Sequence, residues 1–246
     1  NKGDFVRKVW FCMFCLCVFL GEMSALPLHK IEGKCVEPKK FNKNQKQVIL
    51  KAFKYGAKSG FGYTMAAIAW KESCAGEYRV NFADPSAGIY HAHIPGIIKK
   101  HKQKDSAFMR NMVGELLMRD DEFASQTALE ELGYWHKVRR GNWYEVIKSY
   151  NKGFSWEKDR ERDKMAQAYF EDVAKRVKEL QTYIPKVSSS TARLAKKDYA
   201  LEFLNNATQG VLSEKNAIIK DSVADFRQNH KNTKSKDREK FIILEE

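Results

Sequence analysis

From residue 44 onward, apolar residues recur every three or four positions, the spacing that gathers them on one face of a helix. Val48, Ile49, Ala52 and Phe53 predict a first helix that Gly56 or Gly60 ends. A second, about Tyr63 to Ser73, carries Met65, Ile68 and Ala69. Ile68 and Ala69 stand four and three residues before Glu72, so this carboxylate belongs on an apolar face. Between residues 76 and 96, Gly76, Pro85, Gly88, Pro95 and Gly96 break the helical period and predict a loop or short hairpin forming one wall of a cleft. Helical spacing resumes with Met109, Met112, Val113, Leu116 and Leu117, then with Phe123, Thr127, Ala128, Leu132 and Trp135, then with Trp143, Val146, Ile147 and Tyr150. A long amphipathic stretch follows Trp156, with Met165, Tyr169, Val173, Val177 and Leu180, ended by Pro185 and three serines. The pattern predicts a mainly α fold with at most a small sheet.

The two ends read differently. Arg7 and Lys8 precede a continuous apolar run from Val9 to Leu20, with the small residues Ser24 and Ala25 after it, so residues 1–25 read as an export signal or a membrane anchor. Residues 26–43 form a linker or N-terminal arm, 44–156 the folded domain, and 157–246 a helical C-terminal extension with a charged tail. Within that extension residues 194–228 predict another helix. Leu204, Val211 and Ile218, like Leu212, Ile219 and Phe226, recur every seven residues there and suit packing on the domain or a partner helix.

With 43% apolar residues in 246, the chain can bury a sizeable core, which excludes full disorder. Its formal charge of +13 points to an anionic partner. Export makes a cell-wall polymer or a membrane surface the fitting partner, and no nucleic-acid motif accompanies the charge. Cys12, Cys15 and Cys17 lie inside the apolar run as small hydrophobes. Cys35 and Cys74 are left either to pair in an oxidising compartment or to remain separate thiols.

Chemistry concentrates at Glu72. Burial beside Ile68 and Met65 disfavours the ionised carboxylate, so Glu72 can hold a proton to donate. Asp84 is a candidate second carboxylate or a turn residue of Asp84-Pro85-Ser86. His91 and His93 are two apart with Asp84 nearby, a spacing that matches no common zinc motif, so no metal or cofactor is expected. Trp70, Tyr78, Tyr90, Trp135 and Trp143 are either sugar-stacking rings or core.

Three ordered blocks resemble the soluble-type lytic transglycosylases of the lysozyme-like superfamily, which cleave peptidoglycan. Glu72-Ser73 corresponds to the family's Glu-Ser at a helix end. Gly88-Ile89-Tyr90-His91, preceded by Ser86, is similar to its Gly-Leu-Met-Gln turn, with His91 where the family has Gln. Ser149-Tyr150-Asn151-Lys152-Gly153 is similar to its Ala-Tyr-Asn-Ala-Gly. The resemblance covers residues 45–155 and implies a lysozyme-like α+β fold. It further implies Glu72 as the catalytic acid and base, and Ser73, Ser86, Gly88, Tyr90, His91, Tyr150 and Asn151 as substrate-binding residues. The implied reaction breaks the bond between N-acetylmuramic acid and N-acetylglucosamine and leaves a 1,6-anhydro end. Peptidoglycan strands are then the partner, and a bacteriophage or bacterial source is expected, with the C-terminal helices docking to a membrane or particle. Two other readings are a muramidase with Asp84 activating water, and a non-catalytic wall-binding or structural protein of the same fold.

Overall fold

The computed structural model describes residues 35–81, 83–192 and 197–209. The export-signal run with its three cysteines, and the heptad positions beyond Leu204, lie outside these residues. Among the described residues, no helix is long and apolar enough to cross a membrane.

A single turn of 3-10 helix, Pro38–Lys40, delivers Phe41 into the core. Asn42 then caps helix α1 (Lys43–Ala57) in a reciprocal capping box with Gln45. The stretch read as an arm is therefore packed from Cys35 onward. Gln45 also reaches across the fold, where its buried side-chain amide donates to the Cys74 carbonyl at 2.9 Å and ties the start of α1 to the end of α2.

Helix α2 (Gly62–Ser73) is the centre of the molecule. Met65, Ala66, Ala67, Ile68 and Ala69 are all fully buried, because α2 is packed between α1 and α7 and so carries apolar residues all round rather than on one stripe. The corner before it is tight: a Cβ on Gly56 would come within 2.7 Å of the Phe61 carbonyl oxygen. Past Ser73 the chain reverses through Cys74, Ala75 and Gly76, all at positive φ.

The Gly- and Pro-rich stretch forms a small antiparallel meander, β1 (Val80–Asn81), β2 (Ser86–Ala87) and β3 (Ala92–His93), with Asn81 opposite Ser86 and Ser86 opposite His93. Helices α3 (Ile94–Lys100), α4 (Ala107–Arg119), α5 (Asp121–Val138) and α6 (Trp143–Lys152) follow. On α4 only Val113, Gly114 and Leu117 are buried, and Met112 and Leu116, which share its helical spacing, lie on the exposed side. Trp143 opens α6 fully buried and donates from its indole to Thr64 of α2 at 3.0 Å.

Helix α7 (Arg160–Val187) is capped by Asp159 and continues two residues beyond Pro185. Pro185 removes only one backbone donor and stands in the last turn, so the helix runs past it to Val187 before it ends. Val173, Val177, Leu180 and Ile184 are fully buried, and α7 lies along both α2 and α6. The helix assigned by sequence to an extension is thus part of the same core as α2. A four-residue helix α8 (Ser189–Ala192) precedes the last described helix, α9 (199–209).

Asp198 joins this last helix to the centre. One carboxylate oxygen accepts from the Tyr63 amide at 3.0 Å, in the first turn of α2, and the other from the Ala200 amide at 3.1 Å, in the first turn of α9. Among the described residues the fold is mainly helical with one small sheet.

Burial pushes the Asp198 carboxyl up to about 6, against the pull of four backbone amides. The folded state therefore binds this proton more tightly than the unfolded chain. Its contribution is full below about pH 4 and is lost as pH rises through about 6. Asp198→Asn keeps an acceptor but cannot ionise, so its Tm relative to wild type is expected to climb between about pH 4 and about pH 7. A difference constant over that range would contradict the assignment. Asp198→Ala leaves both helix starts uncapped and is expected to cost about 2 kcal/mol by urea denaturation.

Candidate active site

Glu72 sits in the last turn of α2, where the helix emerges from the core. Its backbone is held from three directions. The Cys35–Cys74 disulfide anchors the chain two residues on. Gln45 holds the Cys74 carbonyl. Ser73, fully buried, has its hydroxyl 2.8 Å from the Ile89 carbonyl oxygen and accepts from the Gly76 amide at 2.8 Å.

The Glu72 side chain opens into a cleft of about 350 Å³ whose walls come from five parts of the chain. Asn81, Asp84 and Ser86 belong to the first two strands and their turn, His91 and His93 to the segment before α3, Glu131 to α5, Tyr150 and Asn151 to α6, and Tyr169 to α7. The Tyr169 hydroxyl donates to Glu72 Oε1 at 2.6 Å. His91 Nδ1 stands 3.6 Å from Glu72 Oε2. Tyr169 is itself steadied by Lys71, whose ammonium lies 4.9 Å from its ring centre and pairs with Asp172 one turn further along α7 at 2.6 Å.

Burial raises the Glu72 carboxyl above the ordinary carboxylate range, and it wins over the Tyr169 hydrogen bond and the nearby His91 and Lys71, which pull the other way. Burial also raises Glu131. The phenols of Tyr150 and Tyr169 are raised well above their usual value, first by burial and then by Glu131 and Glu72 for Tyr150, and by Glu72 for Tyr169. Both therefore stay protonated hydrogen-bond donors. The cleft presents two half-buried acids, Glu72 and Glu131, with the phenols of Tyr150 and Tyr169 and the His91 ring beside Glu72, an arrangement suited to giving a proton to a bound oxygen and taking one back.

The residues singled out by sequence divide into two sets. Glu72, Ser86, His91, Tyr150 and Asn151 meet in the cleft, with Asp84 at its mouth, 55% exposed and 3.8 Å from His93 Nε2. Ser73 does not line the cleft: its hydroxyl is used inside the protein, so substrate contact is replaced by a structural clasp. Gly88 is also structural. It has φ +84, and a Cβ there would lie 2.6 Å from the Leu117 carbonyl oxygen, a position that only glycine fills without strain. Tyr90 borders the cleft but is only 2% exposed and its hydroxyl lies 3.2 Å from Ser125 Oγ, so its ring is core rather than a platform for a sugar. Trp70 and Trp143 are buried with their indole N–H groups bonded to Val36 and Thr64. Trp135, with the half-exposed Tyr134, lines a neighbouring apolar cleft of about 420 Å³ that shares Ala92, His93 and Glu131 with the first.

Asn81, Glu131, Lys152 and Tyr169 line the cleft without having been singled out by sequence reasoning. Tyr169 falls on the apolar stripe of α7 and reads as core, and Glu131 follows another glutamate in a charged helix, so neither carries a local signal. Among the described residues, no group of three or more His, Cys, Asp or Glu side chains is arranged to hold a metal ion.

No protein-family model and no solved structure matches the chain. Over 102 residues it is 29% identical to the "Uncharacterized 20.7 kDa protein in vs-regB intergenic region" of Enterobacteria phage T4, covering 40% of this chain and 54% of the phage protein. The chain thus spans about half the length of that relative.

Tyr169→Phe removes the 2.6 Å hydrogen bond that favours the ionised form of Glu72. The carboxyl is expected to titrate at higher pH in this variant, read by carbon-13 NMR of the Glu72 side-chain carboxyl. A midpoint that stays or falls would show that the tyrosine does not govern it.

Proposed function

We propose that the chain is a peptidoglycan lytic transglycosylase of the soluble type, with a lysozyme-like fold. The observation that carries the reading is the convergence of Glu72, Tyr150 and the turn ending in His91 on one cleft, with the Glu72 carboxyl raised by burial. These residues come from all three blocks through which the sequence resembles that family. A helical body with a small antiparallel meander at the cleft wall is consistent with the fold.

The mechanism uses one carboxyl twice. Protonated Glu72 gives its proton to the oxygen linking N-acetylmuramic acid to N-acetylglucosamine, and the bond from the muramoyl C1 to that oxygen breaks. The muramoyl 6-hydroxyl oxygen then bonds to C1, and the Glu72 carboxylate takes the hydroxyl proton, which restores the acid. No water is consumed, and the new end is a 1,6-anhydro sugar. The intramolecular hydroxyl replaces an activated water, so the usual second carboxylate is not needed. Tyr150 and Asn151 hold the sugar, and the Tyr169 hydroxyl steadies the Glu72 anion between the two proton transfers.

The Cys35–Cys74 disulfide supports an oxidising, exported setting, and the charge of +13 supports attraction to an anionic wall. The similarity to a phage protein supports a phage origin, for entry or for lysis. A second reading, hydrolysis by a muramidase, draws on the two further carboxylates that border the cleft, Asp84 and Glu131.

Glu72→Gln is expected to lower clearing in a murein-containing gel by about 10²–10⁴-fold while leaving the thermal transition in place. Equal clearing by both proteins would remove Glu72 from the chemistry. A wild type that binds murein but never clears it would favour the non-catalytic wall-binding protein.

A further inference from the structure

His91 is buried, 5% exposed at its side chain, and held at φ +45, a conformation that non-glycine residues rarely adopt. The fold keeps this strain and uses it to aim the ring into the cleft. His91 Nε2 lies 2.8 Å from the Tyr78 carbonyl oxygen. A carbonyl only accepts, so Nε2 carries the hydrogen and, in the neutral ring, Nδ1 is left as a bare lone pair. That lone pair faces Glu72 Oε2 at 3.6 Å. The other carboxylate oxygen already takes the Tyr169 hydroxyl.

Two electron-rich atoms thus point at each other in a half-dry cleft. With Glu72 ionised and His91 neutral they repel, and one added proton removes the repulsion wherever it resides. On Glu72 it makes a carboxylic acid beside a neutral imidazole; on His91 it makes an ion pair. A second proton makes a carboxylic acid beside an imidazolium.

Charged and titratable groups face this pair from every element around the cleft, and Lys71 and Asp172 act on Glu72 in opposite directions. Lys71 on α2 is engaged by Asp172 of α7. Asp84 is opposite His93 at the cleft mouth. Glu131 of α5, Tyr150 and Lys152 of α6 and Tyr169 of α7 also border the cleft. Of these, Tyr169 bonds to Glu72 directly, on the oxygen that His91 does not face.

We propose that Glu72 and His91 titrate as a couple holding one proton between them, and that a second proton, taken by His91, switches the cleft off. This rests on the reading of Glu72 as the catalytic acid. His91 is then a positioning residue: it sets the pH range in which Glu72 works without touching the reacting atoms. The switch follows from charge. Breaking the glycosidic bond develops positive charge at the sugar carbon, and an imidazolium in the same wall opposes it. The sequence carries this device where the resembled family has an uncharged glutamine, a residue that takes up no second proton.

The test titrates the full chain, carbon-13 labelled at glutamate carboxyls and nitrogen-15 labelled at histidine rings. In the wild type the Glu72 carboxyl carbon is expected to respond in two steps, and in His91→Gln in one. The His91 ring nitrogens should likewise respond in two steps in the wild type and one in Glu72→Gln, which reads the couple from its other side should His91→Gln fail to fold. One Glu72 step in the wild type, or the same two in His91→Gln, overturns the couple. In the rate of murein solubilisation, wild type is expected to lose about tenfold per pH unit on the acid side, and His91→Gln less than about twofold. An acid limb unchanged in His91→Gln overturns the switch. If the wild type shows the two-step titration but solubilises no murein at any pH, the transglycosylase reading fails while the couple stands.

Discussion

The structure depends on keeping one carboxyl group half out of water at the end of a helix that is otherwise wholly buried. Helix α2 has no polar face with which to reach solvent, and only its final turn emerges. Burial alone would leave Glu72 free to swing. The Cys35–Cys74 bond, the Gln45 amide on the Cys74 carbonyl and the Ser73 clasp on Ile89 remove that freedom, each acting within two residues of the carboxyl. What they fix is the backbone; the Tyr169 hydroxyl then fixes the side chain.

The same constraint explains why helix α7 belongs with the centre rather than with an appendage. Its buried stripe packs on α2 and α6, and Tyr169 is the one phenol of that stripe whose hydroxyl meets Glu72. Lys71 and Asp172 lock the two helices beside this contact. Loss of α7 would uncover the apolar flank of α2 and also free the acid from its donor, so stability and site geometry share one interface. Asp198 extends the arrangement to α9 by capping the start of the helix whose end carries Glu72.

Much of this was legible in the sequence because helical periodicity places residues on faces. Ile68 and Ala69 put Glu72 on an apolar surface, and the glycines and prolines of residues 76–96 marked the wall of the cleft that the meander forms. Periodicity does not say what the opposite face meets. Tyr169 is 97 residues from Glu72 and looks like any other core aromatic until α7 is folded against α2. Glu131 is hidden the same way, since one carboxylate in a charged helix carries no mark of the cleft it borders. At Ser73 and Tyr90 the side chains are committed within the fold. Both lie in blocks that resemble a family's substrate-binding motifs, but the hydroxyls of both are used inside the protein, Ser73 to close the end of α2 and Tyr90 against Ser125. A motif fixes which residues are present; the direction of each side chain depends on the tertiary packing around it.

In the proposed reaction Glu72 does the work of two groups, with an internal sugar hydroxyl in place of water. The most direct measurement is mass spectrometry of the fragments released from purified murein by the full chain. The expected products are muropeptides ending in 1,6-anhydro-N-acetylmuramic acid, each one water lighter than a hydrolysed end. Reducing N-acetylmuramic acid ends instead would contradict a single-carboxyl mechanism and assign a water-activating role to another carboxylate of the cleft.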